Sequence, residues 1–137
     1  RKGAMTAHAG ILSEEEIDAL AKFVVALSEG NATDEGWALY NAKGCNACHG
    51  PEGDGVLATL PNGDIVTVGA ANLTDGIWRF VPGGYESAKH TIMYGVNQAG
   101  VEQTRDAVMP AFGDTGKLGE QEIKKLVVYV HQMGGGQ

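Results

Sequence analysis

Apolar residues recur at helical spacing in four stretches of this chain, and the residues around them carry helix start and stop signals. Ile17, Leu20, Ala21, Val24 and Leu27 form the first stripe. Ser13 with Glu16 is a capping box ahead of it, and Glu14 and Glu15 suit the positive end of a helix dipole. The pattern predicts a helix over 13–28 that must dock by its stripe, on the rest of this chain or on a second one. A second helix fits Asp34 to about Lys43, with Thr33 as N-cap and Trp37, Leu39 and Tyr40 facing inward. Gly36 costs helix propensity there, which is explained if another helix crosses closely; a tolerated surface glycine is the plainer reading. Ala88, Ile92, Met93 and Val96 predict a third helix from Tyr85 to about Val96, with His90 off the stripe as a surface residue and Met93 on it as core. The last helix, about Glu120 to Met133, places Ile123, Leu126, Val127 and Val130 on one face with Tyr129 beside them. Glu120 and Glu122 start it, and Gly134 to Gly136 stop it.

The intervening segments have no such period. Residues 50–84 are rich in glycine and turn signals and read as irregular wall. Within them Val56 to Leu60 and Ile65 to Val68 flank Asn62-Gly63, the pair a type I′ hairpin turn prefers, and Pro61 is compatible with a strand at an edge. Residues 97–108 are polar loop and lead into Met109-Pro110-Ala111-Phe112-Gly113. The expected fold is all-α, with room for one small β-hairpin.

Length allows one domain of ordinary size in 137 residues. Twenty-one Gly and three Phe make a poor core by themselves, so a buried cofactor would supply missing apolar surface. A net charge of -7 argues against nucleic acid as a partner and suits a basic protein surface, or simply solubility. No apolar run approaches the roughly 20 residues of a membrane helix, and no signal-peptide pattern is present. Beginning at Arg1, the chain reads as processed or as a fragment, with any membrane anchor outside it.

The chemistry lies in Gly44-Cys45-Asn46-Ala47-Cys48-His49-Gly50. Two thiols at i and i+3 followed at once by histidine form the attachment pattern of a c-type haem: the sulfurs add to the vinyl groups and the imidazole takes the iron. A thioredoxin-like pair would want a βαβ setting, and a zinc site two further ligands; neither is visible. Both cysteines are consumed, none remains for a disulfide, and covalent haem points to an exported, periplasmic compartment. Trp78 and Arg79 could reach the haem propionates, since a partly buried carboxylate needs a donor; a core tryptophan and a solvated arginine are the plainer readings.

A sixth ligand would close the iron and leave electron transfer as its task, whereas an open position would bind small molecules. Met5, Met93, Met109, Met133, His8, His90 and His131 are the candidates. Met109 is the best placed, in a Pro-stiffened turn between the middle and last helices. A methionine packed over the ring without bonding iron is the alternative.

The chain also repeats itself. Glu16, Ile17, Leu20, Ala21, Phe23, Val24 and Leu27 fall on Glu122, Ile123, Leu126, Val127, Tyr129, Val130 and Met133. Ala4-Met5-Thr6-Ala7-His8 falls on Val108-Met109-Pro110-Ala111-Phe112, once the turn between is allowed two extra residues in the second copy. On this reading residues 1–30 are the Met loop and last helix of a preceding, truncated domain, residues 31–137 are a complete one, and Met5 is an axial ligand left without its iron.

Helix, Cys-x-x-Cys-His, Gly-rich wall, middle helix, Met loop and last helix, in that order over 31–133, resemble class I cytochrome c domains. More closely, Cys48-His49-Gly50-Pro51-Glu52-Gly53-Asp54-Gly55, Asn72-Leu73-Thr74-Asp75, Ile77-Trp78-Arg79, Gly95-Val96-Asn97 and Met109-Pro110-Ala111-Phe112-Gly113 resemble the second haem domain of the dihaem cytochrome c subunit of cbb3-type oxidases. The resemblance implies one covalent haem c, with Cys45 and Cys48 as thioether links and His49 and Met109 as axial ligands. Trp78, Arg79 and Leu73 become haem contacts, and Gly36 and Tyr40 cross Leu126 and Tyr129. It implies single-electron transfer with no substrate chemistry of the domain's own, between a donor cytochrome or preceding haem domain and the oxidase catalytic subunit. Any membrane contact would run through segments absent from this chain. A free-standing periplasmic carrier, or the cytochrome domain of another dehydrogenase or reductase, is the alternative; a haem enzyme or gas sensor would need an open sixth position. Ala71 stands where the family usually has proline, leaving open which carbonyl orients His49.

Overall fold

A computed structural model describes residues 3–80, 82–107 and 112–133. In chain order the elements are α1 (Glu14–Ser28), α2 (Asp34–Ala42), the single turn α3 (Asn46–His49), β1 (Ala58–Thr59), β2 (Ile65–Val66), α4 (Tyr85–Tyr94) and α5 (Glu120–Met133).

α1 begins at a complete capping box: Ser13 Oγ accepts from the Glu16 N–H at 3.2 Å, and the Glu16 carboxylate accepts from the Ser13 N–H at 3.1 Å. Its stripe is the centre of the core. Ile17, Leu20, Ala21, Phe23 and Leu27 are buried with Tyr40 of α2 and with Ala88 and Ile92 of α4. Phe23, Trp37 and Tyr40 make a three-ring cluster with centroids 5.1 to 5.7 Å apart, at the tilted and edge-on angles aromatic quadrupoles favour. Ion pairs tie the rim: Lys43 to Glu16 at 2.5 Å, and Asp18 to Lys22 at 2.6 Å with Tyr85 and Lys89 of α4 also reaching Asp18.

α2 is capped by Thr33, whose Oγ1 accepts from the Gly36 N–H at 3.1 Å. Gly36 does mark a close crossing, but the helix crossing it is α1: a Cβ at Gly36 would lie 2.2 Å from Phe23 Cδ2. This corrects the expected contact of Gly36 and Tyr40 with Leu126 and Tyr129. The two stripes are near copies, and only a five-residue connection, 29–33, separates α1 from α2, so α1 meets the slot at a smaller loop-closure cost. α5 keeps its apolar side in solvent, with Leu126, Val127, Tyr129, Val130 and Met133 between 47% and 71% exposed.

Ahead of α1 the chain runs along the C-terminal end of α4. The His8 and Ala9 N–H groups donate to the carbonyls of Ile92 and Met93, and Met5 and Val96 exchange main-chain bonds of 2.9 and 3.0 Å. Gly95, at φ +70°, permits this approach: a Cβ there would fall 2.2 Å from the Met5 carbonyl oxygen. His90 proves half-buried, not a surface residue, because the following loop folds back and brings the Gln103 carbonyl 2.9 Å from its Nε2.

β1 and β2 pair antiparallel, Ala58 with Val66 and Thr59 with Ile65. The turn is not type I′. Asn62 keeps a negative φ, Gly63 alone is positive at +88°, and the Gly63 N–H donates to Leu60 O at 2.9 Å. Pro61 presets the negative φ of a type I turn, and Gly63 then supplies the left-handed residue of a bulge. Among the described residues no helix is long and apolar enough to cross a membrane.

Candidate haem site

α2 delivers the chain into the Cys45 turn. The Cys45 N–H donates to the Tyr40 carbonyl at 3.1 Å, and the His49 N–H to the Cys45 carbonyl at 2.9 Å, so both thiols and the imidazole ride on one turn of helix. The buried Tyr40 hydroxyl donates to the Gly50 carbonyl at 2.6 Å and pins the far end of that turn. Burial pushes the Tyr40 phenol and the Cys45 thiol above their ordinary ranges, so both are protonated at neutral pH.

His49 is oriented by Ala71, whose carbonyl oxygen lies 2.9 Å from Nδ1. That oxygen only accepts, so Nδ1 carries the proton and Nε2 keeps its lone pair. Burial holds the imidazole below its usual range, against the opposing effect of the Ala71 bond, and favours this neutral form. The Ala71 carbonyl, which the sequence left open, is thus the partner that a metal-binding histidine normally needs on its other nitrogen.

These groups open onto a cavity of about 400 Å³. Cys45, Cys48 and His49 all line it. Leu20, Val24, Leu73, Trp78, Phe80, Ile92 and Val96 supply apolar lining, and Met5, His8 and Arg79 also face it. Its volume is within the roughly 300–1,000 Å³ of cofactor sites. His8 Nδ1 is buried without a hydrogen-bond partner, a polar atom that a bound group's oxygen would satisfy. Arg79 reaches the Ala107 carbonyl at 3.5 Å from an otherwise exposed position. Two thiols, a neutral imidazole with a free Nε2, an apolar cleft and an orphaned polar atom fit a covalently attached porphyrin.

Of the residues singled out in the sequence, Cys45, Cys48, His49, Leu73, Trp78 and Arg79 meet at this one cavity, and Met109 lies outside the described residues. Met5, expected to be stranded, lines the same cavity. No periodicity could reveal this, since it follows from where α1 docks. Among the described residues no cluster of three or more His, Cys, Asp or Glu could hold a metal ion by itself.

A helical scaffold presenting Cys-x-x-Cys-His at an apolar cleft defines a cytochrome c domain. The chain belongs to the family described as cytochrome c oxidase, cbb3-type, subunit III, whose model matches residues 31–130. It is 36% identical to the cbb3-type cytochrome c oxidase subunit FixP of Azorhizobium caulinodans, over 99% of this chain and 41% of that protein. It is 33% identical to the CcoP subunit of Rhodobacter capsulatus, over 93% of this chain and 39% of that protein. The chain therefore spans about two fifths of the length of these curated relatives. No solved structure matches. Covalently bound haem c goes with a cytochrome c domain, and electron transport in the respiratory chain with this family.

Proposed function

We propose that this chain carries single electrons through one low-spin haem c, as the second haem domain of a dihaem cbb3-oxidase subunit at the periplasmic face. The observation that carries the reading is the Cys45–His49 turn, with Nδ1 of His49 bonded to Ala71 and both thiols and the imidazole lining the cleft. On this reading Cys45 and Cys48 hold the porphyrin by thioether bonds, and His49 with Met109 of the 108–111 segment supplies the axial pair. Haem so ligated takes up and gives up one electron with a potential raised above that of bis-histidine haem. The chain's own residues set its surroundings: Leu73, Trp78 and the α1 and α4 side chains exclude water, while Arg79 and the Trp78 indole serve the propionate edge. Residues 1–30 are the end of the preceding domain and 31–137 the haem domain, and the acidic surface faces a basic donor or the catalytic subunit. The chain does no substrate chemistry.

The reading is tested on the haem-loaded protein. Haem should stay with the chain in denaturant, the ferric form should show the methionine–iron charge-transfer band, and the reduced form should be slow to bind carbon monoxide at neutral pH. In the intact oxidase, His49→Ala should abolish re-oxidation of a donor cytochrome by the complex. Rapid carbon monoxide binding by the unaltered protein would overturn it in favour of an open-site haem protein.

A further inference from the structure

The β1–β2 hairpin takes no part in the buried core, and both of its faces lie in solvent. Alternation along the strands puts Ala58, Leu60 and Val66 on one face and Thr59 and Ile65 on the other. Leu60, Ile65, Val66 and Val68 are all exposed. A two-stranded hairpin is marginal in water by itself, and exposed strand edges usually carry lysine to deter pairing; this one carries none. Between Lys43 and Arg79 the chain has Glu52, Asp54, Asp64 and Asp75 and no lysine or arginine. Among the described residues none of these four carboxylates forms an ion pair. The hairpin is also rooted at the haem site. It leaves directly after the Cys45–His49 turn, where Asp54 Oδ1 accepts from the Val56 N–H at 2.8 Å and a Cβ at Gly50 would fall 2.2 Å from the Val56 carbonyl oxygen. It returns through Val68, Gly69 and Ala70, which line the cavity, to Ala71, whose carbonyl orients His49.

We propose that the hairpin 56–68 is a docking arm for a basic electron-donor protein, one that carries an apolar patch ringed by lysine or arginine. The inference rests on the haem reading above and deepens it, naming the surface and the kind of partner. Leu60, Ile65 and Val66 supply the apolar contact, and Asp64 at the turn, with Glu52 near the base, supplies the charge. Such an arrangement steers an oppositely charged protein and then holds it by a little buried apolar area. The patch is small, which suits a transient redox encounter, below about 1,200 Å² of buried surface, and not the larger contact of a permanent subunit. Two copies of this chain would bring carboxylates against carboxylates, and an anionic lipid surface would meet no cation on the arm. A donor seated here lies beside the segment that holds His49, so its electron has a short way to the haem.

The experiment uses the haem-loaded chain and, as donor probe, a lysine-ringed cytochrome c whose iron is replaced by zinc, so that a light flash starts electron transfer. At low ionic strength Asp64→Lys should slow the bimolecular reaction about fivefold and flatten its salt dependence. Glu102→Lys, the same charge change on the exposed 97–107 loop, should slow it less than about twofold. Leu60→Thr with Ile65→Thr keeps strand propensity and should weaken the complex about tenfold at any salt concentration. Every variant should keep its midpoint potential and be reduced by a neutral hydroquinone at the unaltered rate, which separates lost docking from a damaged haem site. Should the threonine pair shift the potential, the comparison of Asp64→Lys with Glu102→Lys decides alone. Equal effects of those two, a threonine pair that reacts as the unaltered chain does, or an unaltered chain that the hydroquinone reduces and the probe does not, would each overturn the arm and leave the haem reading intact. Failure of the hydroquinone to reduce the unaltered chain would defeat the haem reading itself. In the intact oxidase the threonine pair should assemble with every subunit present. Loss of a subunit would assign the arm to a permanent contact, and a dimer of the unaltered chain that the pair dissolves would assign it to a second copy; either overturns the proposal.

Discussion

α1 and α5 share a pattern of apolar residues and differ in almost everything else. In α1 the stripe is buried, Ile17 at 3% and Leu20 at 2% exposure, and the helix joins α2 to α4. In α5 the aligned positions face solvent. The difference teaches that periodicity reports which face of a helix can be buried, and that chain connection decides which of two equivalent faces reaches the partner first.

The largest effect should come from the aromatic side chain at the crossing. Phe23→Ala should cost about 3–5 kcal/mol in urea unfolding, while Val130→Ala in α5 should stay within about 0.5 kcal/mol. Equal costs would mean that α5 is packed as α1 is. Next comes Gly36→Ala, whose Cβ would overlap Phe23 and should cost about 1–3 kcal/mol despite the better helix propensity of alanine. Combining it with Phe23→Ala should be less costly than the sum of the two, and strict additivity would place a different helix in the slot. Tyr40→Phe leaves the buried Gly50 carbonyl without its donor and should cost about 1–3 kcal/mol by the same measurement. Ser13→Ala removes the cap of α1 and should cost about 1 kcal/mol.

The smallest effect concerns pH. Hydrogen bonds from Lys22 and then Tyr85 hold the Asp18 carboxyl down to about 2 from its ordinary 3.8. The folded value is depressed, so the stabilisation is complete above 3.8 and is lost as pH falls from there through about 2. The difference in Tm between the native chain and Asp18→Asn should be constant from pH 5 to 7 and vanish near pH 2. The Lys124–Glu120 pair of α5 lies within that one helix, and the exposed α5 amides should exchange sooner than those of α1 at every pH.

Much of this was legible in the residues because it is local. The Ser13–Glu16 box, the Thr33 cap and the Cys45–His49 turn depend on side chains within four positions of one another, so spacing carries the information. The cost of Gly36 pointed to a crossing, but the identity of the crossing helix depends on tertiary competition between two near-identical stripes, which no local pattern ranks. The Asn62-Gly63 pair suggested one hairpin turn, and Pro61, by fixing its own φ, selected another. The Ala71 carbonyl was invisible for a different reason: a backbone acceptor 22 residues away has no side-chain signature.

The pairing of Met5 with Val96, reinforced by the Asn97 side chain on the Gly3 carbonyl at 3.0 Å, has a consequence for the order in which the chain assembles. Residues 3–5 are held by partners made some ninety positions later, and contacts of that sequence separation form late. The Cys45–Cys48 turn is built from contacts within a few residues and is complete long before. Until that pairing forms, then, both thiols stand beside an incomplete cavity, and the turn that carries them is ready before the segment that closes over it.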